Sequence, residues 1–217
     1  MGSGTNIKIN VSDVVSYHFC PTQFYYQKIL GIIPPHLRRL FSIGAREHET
    51  YEAGEQKTHD EKPEAEEGKP YVLLMQELPL RDEKNMISGR IDTLYVQGTS
   101  YLSDDDNRKV LIIDKKRKMN DLYFLQVFGY GHLLDVSEKF EFLKPYNAFG
   151  QIVHNTGESD EVHIDDGKKA EFLKKAEAMR EHMKRMQDGE HPKPEKIGMC
   201  ANCFFKSRCW DGLRGYI

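Results

Sequence analysis

No stretch of the chain is long and apolar enough to span a bilayer, and the polar start Met1–Gly2–Ser3–Gly4–Thr5 leads into no secretory signal. A cytoplasmic location with no membrane partner is therefore expected. Neither sign of charge prevails. Lys and Arg number 31 against 34 Asp and Glu, a formal net charge of −3, which excludes a polycation that binds nucleic acid by bulk charge. A basic groove within an acidic shell stays open, because the local field governs binding. The phosphate loop G-x-x-x-x-G-K-[ST] is missing, so no ATP hydrolysis is expected of the chain itself. There is no internal repeat. Cysteine is scarce, with four residues, and in a reducing compartment two disulfides are unlooked for.

What is present suffices for a real core. The 217 residues are 39% hydrophobic and 30% charged. Ser12–Asp13 mark a helix start, Pro21 opens a second helix, and Gly31 closes it. A third helical pattern runs from Leu37 to about Glu55 and carries His48. Residues 55–70 hold Lys, Glu, Pro and Gly with almost nothing apolar, and read as a flexible charged loop. Tyr71–Leu80, Met86–Gln97 and Lys109–Lys116 then read as three strands joined by turns, an antiparallel meander. A helix over residues 118–135 follows. Phe140–Phe142, Ala148–His154 and Glu161–Ile164 read as strand, and Lys168–Gln187 as a long charged helix. The order predicts a mixed α/β domain around one central sheet.

Two local patterns carry chemistry. At the polar end of the third strand, Asp114 and Lys116 are two residues apart and project from one face. Such a pair is either a surface ion pair or the centre of a metal-dependent phosphodiesterase. In the second case the carboxylate holds a hard cation, and the lysine steadies the attacking water or the phosphate charge. The other pattern is Cys200-x₂-Cys203-x₅-Cys209, with Cys20 far upstream. Four cysteines suit zinc or a [4Fe–4S] cluster. One C-x-x-C knuckle with two scattered cysteines favours the cluster.

Taken together these pieces resemble the CRISPR-associated, RecB-nuclease-like exonucleases with an iron–sulfur cluster, of the PD-(D/E)xK superfamily. The residues that carry the resemblance run along most of the chain. They are His48 on an early helix, Gly89–Arg90–Ile91–Asp92, Ile113–Asp114–Lys115–Lys116, Gln126–Val127–Phe128–Gly129–Tyr130, Cys20–Pro21, and the cysteine tail. The resemblance implies a restriction-endonuclease-like core, a central mixed sheet flanked by helices, within a single nuclease domain over 1–217. A small iron–sulfur lobe would join 12–35 to 190–217. It implies His48, Asp92 and Asp114 as ligands of Mn²⁺ or Mg²⁺, and Lys116, Gln126 and Tyr130 as catalytic or positioning residues. Cys20, Cys200, Cys203 and Cys209 would hold a structural [4Fe–4S] cluster. The expected activity is a DNA exonuclease acting on single strands or DNA ends, and processing protospacers in CRISPR adaptation beside the integrase and its small partner. The alternatives are a recombination, repair or viral nuclease of the same superfamily, a DNA-end-binding module that does not cut, and a zinc-stapled adaptor.

Overall fold

The structure is a computed structural model that describes residues 7–34, 71–97, 109–144, 146–195 and 198–210. His48 and the charged stretch 55–70 lie outside the described residues. The chain divides into two compact units. The first comprises Met1–Cys20 and Lys69–Glu190, the second Pro21–Gly68 and His191–Ile217.

The first unit is built on a mixed seven-stranded sheet. Its strands are β1 (Ile9–Asn10), β2 (Tyr71–Asp82), β3 (Ile87–Gln97), β4 (Lys109–Lys116), β5 (Asn147–His154), β6 (Gly157–Glu158) and β7 (Val162–His163). β2, β3 and β4 form the expected antiparallel meander. β5 returns parallel to β4, from Lys109↔Asn147 to Lys116↔His154. A parallel neighbour needs a crossover, and α3 (Tyr123–Val136) supplies it. The turn at 83–86 is fixed by Asp82, whose carboxylate accepts from the Asn85 N–H at 3.0 Å and the Asn85 side chain at 2.7 Å.

α1 (Val11–Phe19) is capped two residues earlier than the sequence suggests. Asn10, not Ser12, is the N-cap, its side-chain oxygen accepting from the Ser12 N–H at 3.0 Å. α4 (Asp166–Gln187) is capped by Asp165, which accepts from the Lys168 N–H at 2.9 Å. α3 is buried nearly all round, with Leu125, Val127, Tyr130, Leu133 and Leu134 inside. Its Gly129 lies so close to Phe172 of α4 that a Cβ there would meet the ring at 2.6 Å. Residues 118–122 stay outside the helix, and Asn120 turns the chain into it by accepting from the Leu122 N–H at 3.0 Å. Phe140–Phe142, expected as strand, belongs instead to a 3₁₀ turn over Glu138–Leu143. Phe140 is buried and Phe142 exposed there.

In the second unit, α2 (Pro21–Phe24) runs into a π-helical turn over Tyr25–Ile29, and Gly31 ends it at φ +67°, where glycine is tolerated without strain. A 3₁₀ turn (Gly198–Asn202) and α5 (Lys206–Trp210) complete its described part. Phe205 is buried there and stacks on Tyr26, with ring centroids 5.0 Å apart. Among the described residues, no helix is long and apolar enough to cross a membrane.

Candidate active site

The site begins with a split in the sheet. β2 pairs with β3 from end to end on one edge. The other edge of β3 is shared, with β1 taking Ile87 and Ser88 and β4 taking Thr93 to Val96. Between them Gly89–Arg90–Ile91–Asp92 has no ladder partner on that edge among the described residues. A strand edge that opens in this way leaves room for polar side chains.

Asp92 stands at the mouth of the split. The last β3–β4 pair is Thr93↔Ile113, so Asp92 and Asp114 follow it face to face as the strands part. Asp92 bridges the parting, its Oδ2 accepting from the Lys115 N–H at 2.7 Å. Asp114 has no solvent exposure. Lys116 Nζ donates to its Oδ1 at 2.9 Å and lies 2.8 Å from its Oδ2. The strand's period of two puts the ammonium beside the carboxylate, and burial strengthens their attraction.

α3 closes the site from one side. Gln126 donates from Nε2 to Asp114 Oδ1 at 3.0 Å and to the Tyr130 hydroxyl at 2.6 Å. Gln126 thus holds Asp114 directly. Burial, then the charges of Asp114 and Asp92, push the Tyr130 phenol well above its ordinary pKa. Tyr130 keeps its proton here and lines the site beside Gln126. Gly89 makes room for this ring, since a Cβ there would meet Tyr130 Cε1 at 2.9 Å.

Two residues escaped the sequence reading. Tyr123, one turn before Gln126 on the same stripe of α3, lies under Lys116, whose Nζ is 5.3 Å from the ring centroid. Its i, i+3 spacing from Gln126 was the available signal. Glu77 of β2 is the other. Its neighbours pair as Gln76↔Thr93 and Leu78↔Ile91, which puts Glu77 across from Asp92. It adopts φ +48°, a left-handed conformation rare for a side chain of this kind. Its Oε2 accepts from Arg90 Nη1 at 3.2 Å. A glutamate in a strand has no sequence mark of such a backbone. The strain costs about 1–3 kcal/mol, whereas an exposed ion pair returns about 0–1 kcal/mol. The pair alone does not offset the strain.

Cys200, Cys203 and Cys209 lie in the second unit, and Cys20 is the last residue of the first. The Cys203 N–H donates to the Cys200 carbonyl at 3.3 Å, a tight turn, and the Cys209 N–H to the Phe205 carbonyl at 2.8 Å. None of the four is in a disulfide, and each is half-buried.

Among the described residues, no three His, Cys, Asp or Glu side chains stand close enough to hold one ion. The donor chemistry nonetheless fits. Two carboxylates at an oxygen-rich mouth suit Mg²⁺ or Mn²⁺, and thiols suit zinc or an iron–sulfur cluster.

Fold and site together define an α/β protein with a mixed sheet flanked by helices, and with an Asp–Asp–Lys set at the sheet's split. A search of solved structures finds similarity to the crystal structure of the Sulfolobus protein SSO0001, at 16% sequence identity and a TM-score of 0.48, over 97% of this chain and 89% of that one. No family model matches the chain, and no curated protein does.

Proposed function

We propose that the chain is a divalent-metal-dependent deoxyribonuclease of the PD-(D/E)xK superfamily. The observation that carries this reading is the convergence of Asp92, Asp114 and Lys116 where β3 and β4 part, with Gln126 gripping the buried carboxylate. A surface ion pair has no use for complete burial of its carboxylate or for a second donor from another element.

Asp92 and Asp114, with His48 as a third proposed ligand, would hold Mn²⁺ or Mg²⁺, which supplies a Lewis acid for the scissile phosphate. The chain's own groups do the positioning. The Lys115 N–H fixes the rotamer of Asp92, and Gln126 fixes that of Asp114. Lys116, cradled by Asp114 and the Tyr123 ring, orients the attacking water and stabilises charge on the phosphoryl oxygens. A bond from water oxygen to phosphorus forms as the bond from phosphorus to the leaving sugar oxygen breaks.

The order of motifs along the sequence supports a finer reading. It is an exonuclease on single strands or DNA ends that processes protospacers in CRISPR adaptation, beside the integrase and its small partner. The four thiols support a structural [4Fe–4S] cluster, since phosphodiester hydrolysis moves no electrons.

The test is digestion of end-labelled single- and double-stranded DNA with Mn²⁺, on protein purified without oxygen. Wild type is expected to cut. Lys116→Ala is expected to bind metal and DNA and to cut at least about 100-fold more slowly. Near-normal cleavage by Lys116→Ala would remove the lysine from the mechanism, and an inert, well-folded wild type would sink the nuclease reading.

A further inference from the structure

From the pairing and exposure of Arg90 we infer that this residue is a phosphate-binding residue of the site, gripping the polynucleotide next to the phosphate that is cut. The inference rests on the nuclease reading.

Arg90 lies on the β3 edge between the β1 and β4 ladders, which has no ladder partner among the described residues, two residues before Asp92. Residues two apart in a strand share a face. The guanidinium therefore projects beside the candidate metal-binding carboxylate, displaced along the strand by about 6.7 Å. That displacement is comparable with the step between neighbouring phosphates of an extended strand. Arg90 is 67% exposed, whereas Asp114 is fully buried and Lys116 is 21% exposed. Lys116 is engaged by its carboxylate; Arg90 projects where a bulky ligand can reach it.

Glu77 keeps the guanidinium there. It stands opposite Asp92, diagonal to Arg90 across the β2–β3 ladder, and holds Arg90 Nη1 at 3.2 Å. The single contact uses one of five guanidinium N–H donors, and the fork keeps the geometry for a bidentate grip on phosphate. A left-handed backbone at Glu77 sets this arrangement within β2, a few residues beyond the register shift at Leu73/Met75. Strained backbone of this kind clusters at functional sites, and here it holds an arginine at the lip of the split.

The experiment is fluorescence anisotropy of a labelled single-stranded oligonucleotide with full-length wild type, Arg90→Ala and Arg90→Lys, without divalent metal, across a salt series. Thermal melts of each variant confirm folding, which the exposure of Arg90 leaves undisturbed. Arg90→Ala is expected to weaken binding roughly ten-fold at low salt and to flatten the slope of log K against log salt by about 0.7, one phosphate contact on a single strand. Arg90→Lys keeps the charge, so the slope returns while part of the affinity stays lost with the fork. Arg90→Ala with wild-type affinity and slope would overturn the inference and leave the nuclease reading standing. A wild type that binds no oligonucleotide even at low salt would overturn both.

Discussion

Glu77 sits at φ +48° within β2, and the backbone there is the kind that only glycine adopts freely. Glu77→Gly is therefore expected to hold or raise stability by up to about 1 kcal/mol, although it deletes the contact with Arg90. Denaturant midpoints measure this. A loss beyond about 2 kcal/mol would show that the strain is only apparent. Lys116 offers a second residue-scale outcome. It provides the positive charge against a carboxylate with no solvent exposure, so Lys116→Ala is expected to lower stability by up to about 3 kcal/mol. Mn²⁺ should then raise the melting temperature of the variant more than that of wild type, because the cation takes over the charge the ammonium supplied. Equal shifts would place the cation away from Asp114. At this scale the sequence showed the D-x-K pair and the Gln126–Tyr130 stripe, since each follows from a fixed period. It hid Glu77, because φ is not written in a residue's identity.

At the scale of elements, the hairpin turn and α3 are joined by a contact that no local pattern reveals. His132 Nε2 lies 2.7 Å from Asp82 Oδ2, fifty positions away in sequence. Burial raises the Asp82 pKa, but hydrogen bonds from Asn85 and His132 outweigh it and hold the carboxyl below its ordinary value. A depressed carboxylate pKa contributes stability that is complete above about pH 4 and drains away as pH falls through the lowered value. Melting temperatures measured from neutral pH downwards should therefore fall more steeply for wild type than for Asp82→Asn below that point. Parallel curves would remove Asp82 from acid unfolding. Gly129→Ala tests the packing of α3 on α4. Helix propensity favours alanine by about 1 kcal/mol, yet a Cβ 2.6 Å from Phe172 Cε2 requires the ring to move. The net expectation is a loss of about 1–2 kcal/mol. The three strands of the meander were legible because β3 alternates, β4 carries the apolar run Val110–Ile113, and the segments between them are rich in Gly, Asp and Asn. Phe140–Phe142 misled because two aromatics around a glutamate alternate like a strand, while the short path from α3 to β5 allows only a turn. The start of α3 was misplaced because Asn120, a local cap competitor, delays it.

At the scale of the whole molecule, the chain passes between its two units at Cys20–Pro21, at Gly68–Lys69 and at Glu190–His191. The cysteine spacing singled out the tail and Cys20 as a candidate metal centre, while the division of the chain into two units was not legible, because it follows from tertiary structure. If the cysteines hold a cluster, its loss is expected to leave the first unit folded, because its core of Ile91, Leu94, Ile112, Leu133, Ile152 and Phe172 contains no cysteine. Chelating the iron, or Cys203→Ser, is expected to bleach the visible absorbance of anaerobic protein while the sheet keeps its thermal transition. Loss of that transition would make the cluster a folding requirement of the whole chain.

The split edge of β3 has one more consequence, and it concerns solubility. Four consecutive residues with no ladder partner on one side among the described residues offer the kind of template on which a strand from a second molecule can nucleate. Here that edge carries a guanidinium and a carboxylate, and Asp92 already occupies the nearest amide of β4. The charges that would suit the edge to a phosphodiester also make it hostile to another polypeptide. A chain neutralised at both Arg90 and Asp92 is therefore expected to become prone to self-association as well as inert, and light scattering against concentration would record it.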